Sequence, residues 1–428
     1  MMGYNKKSNA ELLALKEELA AQYAAYKASG AKLDLSRGKP ETGQLDISNE
    51  LLTNMTGDGD YISTDGFDCR NYGILDGLPE MKRIFSDLLG IPAENIIIGG
   101  NSSLNLMYDS IARFMIYGVL DQTPWAKLDK IRFLCPSPGY DRHFAILESM
   151  GIEMIPITLN SDGPDMDTVE RLVSSDESIK GIFCVPKYSN PTGITYSDAT
   201  VTRLASMSTK AKDFVIMWDN AYALHDLYEE GDVLLDILSE SARFGNEDRV
   251  LYFTSTSKIT LPGAGISMLA SGKRMIDKIK QLIGVQTIGY DKINQLRHVK
   301  FLKDADNVRQ IMKMHAAILR PKFNFALKSL KEQLDGLGIA EWSYPRGGYF
   351  ISLDTMDGCA TLVWNLAKEA GVTLTNVGAT FPYGKDPRDR NLRLAPTYPS
   401  CEELKLIMDI LCCCIKLASV EKLLAKQR

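Results

Sequence analysis

The chain has 428 residues, 45% of them hydrophobic, with 33 Gly, 17 Pro and a formal net charge of -5. That is the composition of a folded globular chain, and its length suggests two or three domains, because single cores stop growing near ~250–300 residues. The acidic balance excludes a general attraction to nucleic acid or anionic membrane. No run approaches the ~18–20 apolar residues that span a bilayer, and the charged N-terminal stretch does not read as a signal peptide. The eight cysteines form no C-x-x-C pair and no Cys/His metal spacing, so no metal is expected. Cys412, Cys413 and Cys414 are consecutive and point to different sides of a helix, which reads as small buried apolar residues in a reduced, cytoplasmic setting.

In chain order, residues 8–29 predict an amphipathic helix. Ser8 and Glu11 make a capping-box pattern, and Leu12, Leu15, Leu19, Tyr23 and Tyr26 form one stripe. An extended stretch follows over Leu33–Pro40, interrupted at Gly38. From about residue 79, helical patterns alternate with short apolar runs at Asn95–Ile98, Ile131–Cys135, Met154–Leu159, Ile179–Val185, Phe214–Trp218, Val250–Thr254 and Gly265–Ala270. That alternation predicts an α/β unit with a mostly parallel sheet covered by helices. Beyond residue 300 come a long helix over Ala316–Leu337, bent at Pro321, short strands at Gly348–Leu353 and Leu392–Ala395, and a helix over Glu402–Cys414. The expected organisation is an N-terminal segment, 1–50, a large domain, 51–305, and a smaller α+β domain, 306–428.

Ligands of open α/β sheets bind beyond the carboxyl ends of the strands, and four runs deliver polar residues there. Asn95–Ile98 leads to Gly99-Gly100-Asn101-Ser102-Ser103 and a helix. Free N–H groups at such a helix start suit a phosphate, although Asn101 or Ser102 could be a plain cap. Phe214–Trp218 ends in Asp219-Asn220-Ala221-Tyr222, where the aspartate could meet a buried cation or cap a helix. Val250–Thr254 ends in Ser255-Thr256-Ser257-Lys258. Such a lysine is either a snorkelling surface residue or an amine kept nucleophilic by burial. Ile179–Val185 leads to Asn190-Pro191-Thr192-Gly193, by composition a turn.

Taken together, Tyr72, Gly-Gly-Asn-Ser-Ser, Tyr140, Asn190-Pro-Thr-Gly, Asp219-x-x-Tyr222, Ser255-x-x-Lys258 and Arg393 resemble the fold-type-I pyridoxal-phosphate (PLP) enzymes, specifically the class I/II aminotransferases. The resemblance spans nearly the whole chain. Leu35-Ser-Arg-Gly-Lys-Pro40 and Gly289-Tyr-Asp-Lys-Ile-Asn-Gln-Leu-Arg-His298 are similar to a bacterial branch that includes aspartate aminotransferases. The resemblance implies that Lys258 binds PLP covalently and then serves as base at the substrate Cα. It also implies that Asp219 pairs with the ring nitrogen, while Asn190 and Tyr222 bond the phenolic oxygen and Tyr140 stacks on the ring. Ser102, Ser103 and Ser255 would hold the phosphate, with Tyr72 reaching it from the neighbouring subunit of a homodimer. Arg393 would grip the substrate α-carboxylate and Gly38 would lie over the substrate. The family's usual Gly-x-Arg after the lysine is missing: Pro262-Gly-Ala-Gly-Ile-Ser267 has Gly265 at the aligned position, so one expected phosphate cation is absent.

The implied activity moves an amino group between an amino acid, expected to be aspartate or glutamate, and a 2-oxo acid. The second carboxylate needs a cation beyond Arg393. Arg37 and Lys39 flank Gly38, and Lys292 and Arg297 lie in the 289–298 segment; all four could instead be solvated or paired with acids such as Asp291. Other PLP reactions, β-elimination, decarboxylation or retro-aldol cleavage, require the same Lys258, Asp219 and Asn190. A non-catalytic ligand-sensing module is disfavoured by the retained lysine. A metal hydrolase has no i, i+4 pair among His143, His225, His298 and His315. A nicotinamide dehydrogenase has no G-x-G-x-x-G turn.

Overall fold

The chain is described from a computed structural model over residues 3–426. Residues 1–2 and 427–428, the outer ends of the expected N- and C-terminal units, lie outside the described residues. The first helix spans Asn9–Ala28. The Ser8 hydroxyl accepts from the Glu11 N–H while Glu11 accepts the Ser8 N–H at 2.8 Å, the reciprocal cap read from the sequence. Leu12 and Leu19 are buried from it against the C-terminal helix, Cys401–Lys426.

Thirteen strands follow in chain order. They are β1 Leu33–Asp34, β2 Ile96–Ile98, β3 Arg132–Ser137, β4 Glu153–Asn160, β5 Gly163–Pro164, β6 Ile179–Cys184 and β7 Val215–Asp219. Then come β8 Val250–Ser255, β9 Ser267–Ala270, β10 Ala340–Trp342, β11 Ile351–Thr355, β12 Val372–Thr373 and β13 Asn391–Leu394. The main sheet has the order β2-β9-β8-β7-β6-β3-β4-β5. β8, β7, β6, β3 and β4 are mutually parallel, whereas β9 runs antiparallel between β8 and β2, and β5 is an antiparallel edge.

Strands covered on both faces need continuous apolar runs. β6, β7 and β8 are buried at every position, while β4, next to the short edge strand, alternates. Two hydrophobic clusters line the two faces: one includes Ile98, Ile182, Ile216 and Tyr252, the other Ile97, Phe183, Met217 and Phe253.

A second sheet, β10-β11-β13, is antiparallel and carries Arg393 opposite Ser352. Its cluster takes in Leu12, Leu19 and Leu35 from the N-terminal segment together with Leu330, Ile351 and Leu411. β1 pairs in parallel with β12, which ties that segment to the C-terminal part.

Strand ends shift by up to three residues, as where the run expected at Gly348–Leu353 is β11, Ile351–Thr355, and three further boundaries differ for identifiable reasons. The long helix starts at Ala305 and runs through Pro321 to Leu334, because Asp304 caps it by accepting the Asn307 N–H. The final helix reaches Lys426 rather than ending at Cys414; Cys412, Cys413 and Cys414 are all buried in it. The extended stretch from Leu33 keeps inter-strand backbone bonds only to Leu35, whose N–H donates to the Thr373 carbonyl at 2.9 Å; beyond it the Asp34 carboxylate accepts the Ser36 N–H at 2.9 Å and gives the backbone a local partner. The regular strand that would set Arg37 and Lys39 on one face is therefore absent.

Candidate active site

A cleft of about 360 Å³ opens at the carboxyl ends of the parallel strands. β7 and β8 are neighbours in register, with Asp219 opposite Phe253, so the ends of two adjacent strands deliver Asp219 and the Ser255–Lys258 turn to one place. Residues after β3 and β6 add Tyr140 and Asn190, and the turn after β2 adds Ser102 and Ser103. From outside the main sheet come Arg37, Gly38, Lys39, Phe350 and Arg393. Side chains more than 350 positions apart in sequence thus converge on one cavity.

Asp219 is 2% exposed. Its Oδ2 lies 2.9 Å from His143 Nε2, while Oδ1 is buried with no hydrogen-bond partner among the described residues. A buried carboxylate oxygen without a donor is costly, and this one borders the cleft, so it fits a ligand group that donates N–H. His143 sits in the first turn of the helix Asp141–Ser149 and stacks on Phe183 at 4.2 Å, which fixes its ring. Sequence reasoning missed this histidine as a site residue. The available signal was its place three residues after Tyr140, on a helix starting at a strand's carboxyl end.

Lys258 Nζ lies 5.1 Å from the centre of the Tyr222 ring and 5.8 Å from that of Tyr349. Burial lowers its pKa below the ordinary lysine value, with Asp219 pulling weakly the other way. Burial also pushes the Tyr222 hydroxyl well above its usual value, keeping it protonated as a donor. The turn is braced from behind. Gln44 Nε2 donates to the Tyr349 hydroxyl at 2.9 Å and lies 3.1 Å from His315 Nδ1, whose Nε2 is 2.9 Å from the Ile259 carbonyl. His298 Nε2 meets the Thr260 hydroxyl at 3.0 Å.

The Ser102 hydroxyl accepts the Asn105 N–H as the cap of the helix Ser103–Tyr117, and both Ser102 and the helix start border the cleft. At Gly265 a Cβ would stand 3.0 Å from the Asn101 carbonyl oxygen and 3.2 Å from Thr256 Oγ1. A side chain at this position would start in tight contact with the Asn101 carbonyl and the Thr256 hydroxyl.

Arg393 is buried, with Nη1 2.9 Å from Asp141 Oδ1 and 3.3 Å from Asn190 Oδ1, Nε 3.3 Å from Thr375 Oγ1, and Phe350 against its face at 4.9 Å. Gly38 is pressed on the same ring, where a Cβ would come within 2.5 Å of Phe350. Arg37 and Lys39 border the cleft on either side of Gly38, and Lys39 lies 3.8 Å over the Tyr398 ring. Lys292 and Arg297 do not line this cleft. Lys292 is buried near Phe67, and Arg297 Nε donates to Asn294 Oδ1 at 2.7 Å. Tyr72 is also outside it, 76% exposed on the surface. Asp141, Arg142 and Ser257 line the cleft without having been singled out from the sequence. Among the described residues, no His/Cys/Asp/Glu cluster could hold a metal and no helix is long and apolar enough to cross a membrane.

Comparison with known proteins shows the family. The family model described as aspartate amino-transferase matches residues 7–427. An aspartate aminotransferase from Corynebacterium glutamicum is 46% identical over 95% of this chain and 94% of its own. The crystal structure of an aspartate transaminase from Corynebacterium glutamicum superposes with a TM-score of 0.96 at 44% identity, covering 99% of both chains. A more distant α-aminoadipate aminotransferase from Thermus thermophilus shares the fold, with a TM-score of 0.71 at 19% identity over 92% of this chain and 93% of that one. The chain belongs to the aspartate amino-transferase family and is an aminotransferase.

Proposed function

We propose that this aminotransferase uses PLP to move the amino group of aspartate or glutamate to a 2-oxo acid, working as a homodimer with shared active sites in the cytoplasm. The observation that carries the cofactor assignment is the buried, donorless Asp219 Oδ1 beside a burial-perturbed Lys258 in one cleft. The Thermus thermophilus fold relative is complexed with N-(5'-phosphopyridoxyl)-L-leucine. When bound, PLP supplies an electron sink for the charge that develops at the substrate Cα.

The chain's own residues divide the remaining work. Asp219, held by His143, accepts the ring N–H and keeps that nitrogen protonated. Asn190 uses Oδ1 toward Arg393, which leaves its amide N–H groups, with the Tyr222 hydroxyl, for the ring's phenolic oxygen. Tyr140 stacks on the ring, and Ser102, Ser103 and Ser255 donate to the phosphate. Lys258, its amine made easier to deprotonate by burial, would hold the cofactor and would take and return the Cα proton. Arg393 binds the α-carboxylate, Gly38 lies over the substrate, and Arg37 and Lys39, the two expected cations that border the cleft, meet the second carboxylate. Tyr72, exposed on its own subunit, completes the partner's phosphate site. The cytoplasmic assignment is supported by eight free cysteines, seven of them buried.

The test is a panel of amino acids mixed one at a time with holoenzyme, following the cofactor absorbance and the 2-oxo acid released. Aspartate and glutamate should convert the cofactor fastest. A faster neutral or aromatic donor overturns the substrate assignment, and release of ammonia or carbon dioxide in place of stoichiometric oxo acid overturns transamination.

A further inference from the structure

Arg393 is already occupied by an anion of the protein. Asp141 Oδ1 lies 2.9 Å from Nη1, and Nη1 is shared with Asn190 Oδ1 at 3.3 Å. Nε faces a neutral hydroxyl, Thr375 Oγ1, at 3.3 Å, and among the described residues Nη2 has no hydrogen-bond partner. A carboxylate gripped by two parallel N–H bonds needs one edge of the guanidinium, either Nη1 with Nη2 or Nε with Nη2. On the first edge it must displace one of the two acceptors that share Nη1, Asp141 or Asn190, and Asp141 is the one that repels it. On the second it binds with Asp141 still attached, so that two carboxylates face one cation. Both routes set the Asp141 charge against the incoming ligand.

The surroundings of Asp141 make release feasible. The Arg393 side chain is 8% exposed, whereas that of Asp141 is 32% exposed, so the aspartate has a route to water that the arginine lacks. Asp141 is the first residue of the helix Asp141–Ser149, where the positive end of the helix dipole attracts its carboxylate whether or not it touches Arg393. Other groups hold the arginine without it: Phe350 lies against its face, and Asn190 and Thr375 bond its edges.

We infer that Asp141 is a displaceable counter-anion of the carboxylate-binding arginine, weakening the hold of the free enzyme on substrate and product carboxylates. This rests on the proposed reading that Arg393 binds the substrate α-carboxylate. An aminotransferase must bind and release a carboxylate twice in each cycle, and binding that is uniformly tight in the ground state raises no turnover number. Asp141 therefore trades affinity for exchange.

The test uses holoenzyme and maleate, a dicarboxylate with no amine to react, titrated by calorimetry into the parent protein, Asp141→Asn and Asp141→Ala. Asparagine removes the charge but preserves the shape, and alanine removes both. The dissociation constant should fall about tenfold in both variants, the scale of one charge-assisted contact relieved of competition. KM for aspartate and for the oxo acid should fall in parallel, and kcat should fall with them because product leaves more slowly. Maleate binding that is unchanged or weaker in Asp141→Asn overturns the inference and makes the aspartate a support for Arg393. Arg393→Ala separates this from the underlying reading. If that change leaves maleate affinity intact, Arg393 is not the carboxylate site and both readings fail. If it weakens maleate while Asp141→Asn does not tighten it, only the counter-anion fails.

Discussion

Asp219 has one oxygen on His143 and the other buried without a partner, so its value to the protein lies in what the second oxygen meets. Replacing it removes the buried end of a charge pair, typically worth about 3–5 kcal/mol, or about 10²–10⁴-fold in rate. Asp219→Ala should lower kcat/KM for aspartate by at least that factor with an unchanged circular dichroism spectrum. Asp219→Glu should recover part of the loss; near-parental turnover in Asp219→Ala would reduce the residue to a structural role. Gly38 tests a different dependence. A methyl at its Cβ falls within 2.5 Å of Phe350, the ring that lies against Arg393. Overpacking of this kind costs roughly 1–3 kcal/mol. Gly38→Ala should therefore raise KM for every carboxylate substrate about tenfold or more, and the added Phe350→Leu should relieve part of that rise. The cations can be ranked in the same way by measuring kcat/KM for aspartate and alanine. Arg37→Ala or Lys39→Ala should cost aspartate about 2–5 kcal/mol more than alanine, whereas Lys292→Ala and Arg297→Ala should leave the ratio within a few-fold unless they act across the dimer.

At the scale of elements, the turn that carries Lys258 is held by the helix Lys292–Leu302 through His298. Its Nδ1 donates to the Asn294 carbonyl at 2.8 Å and its Nε2 accepts from Thr260. Burial lowers its pKa from the ordinary 6.5 to about 4. Between those values the unfolded chain binds the proton and the folded one does not. Stability is thus intact above pH 6.5 and falls as the pH drops toward 4, by up to ~3 kcal/mol. Urea unfolding at pH 7.5 and pH 5 should show the loss, and His298→Gln, which cannot titrate, should make it smaller, leaving the part due to His225 and His315, whose pKa values burial also lowers. Parallel losses in the two proteins would assign the acid sensitivity to another group. The strands of this region were readable because strands covered on both faces must be apolar at every position: the runs at 179–185, 214–218 and 250–254 lie within a residue of the observed β6, β7 and β8. The start of the long helix was not, because the preceding helix ends at Leu302 and Lys303 reverses the chain with φ 60 before Asp304 caps the next one. A two-residue break between helical patterns leaves no hydrophobic gap to see.

For the whole molecule, the proposed dimer makes a prediction that no single-chain reading shares. Tyr72 is exposed and absent from its own cleft, whereas Lys258 lines it. If Tyr72 acts across the interface, Tyr72→Ala and Lys258→Ala proteins should each be impaired. Mixing them under subunit exchange should restore activity, since a heterodimer contains one site with both residues intact. Absence of any recovery, with heterodimers verified by mass, would place Tyr72 outside the partner's site.

The sequence by itself determined the order of elements, the covalent lysine candidate and the polar residues at the strand ends, because these depend on local periodicity and on what a buried strand must be made of. It also carried Asp219, Asn190, Tyr222 and Arg393 by motif. Only the tertiary structure decided which charges meet. It brought His143 onto Asp219 and Asp141 onto Arg393, kept Lys292 and Arg297 out of the cleft, and filled the space beside Gly265 with backbone. Those outcomes depend on distances of a few ångströms between segments up to 252 positions apart in sequence. Periodicity within a segment contains no information about such distances; the packing of segments remote in sequence sets them.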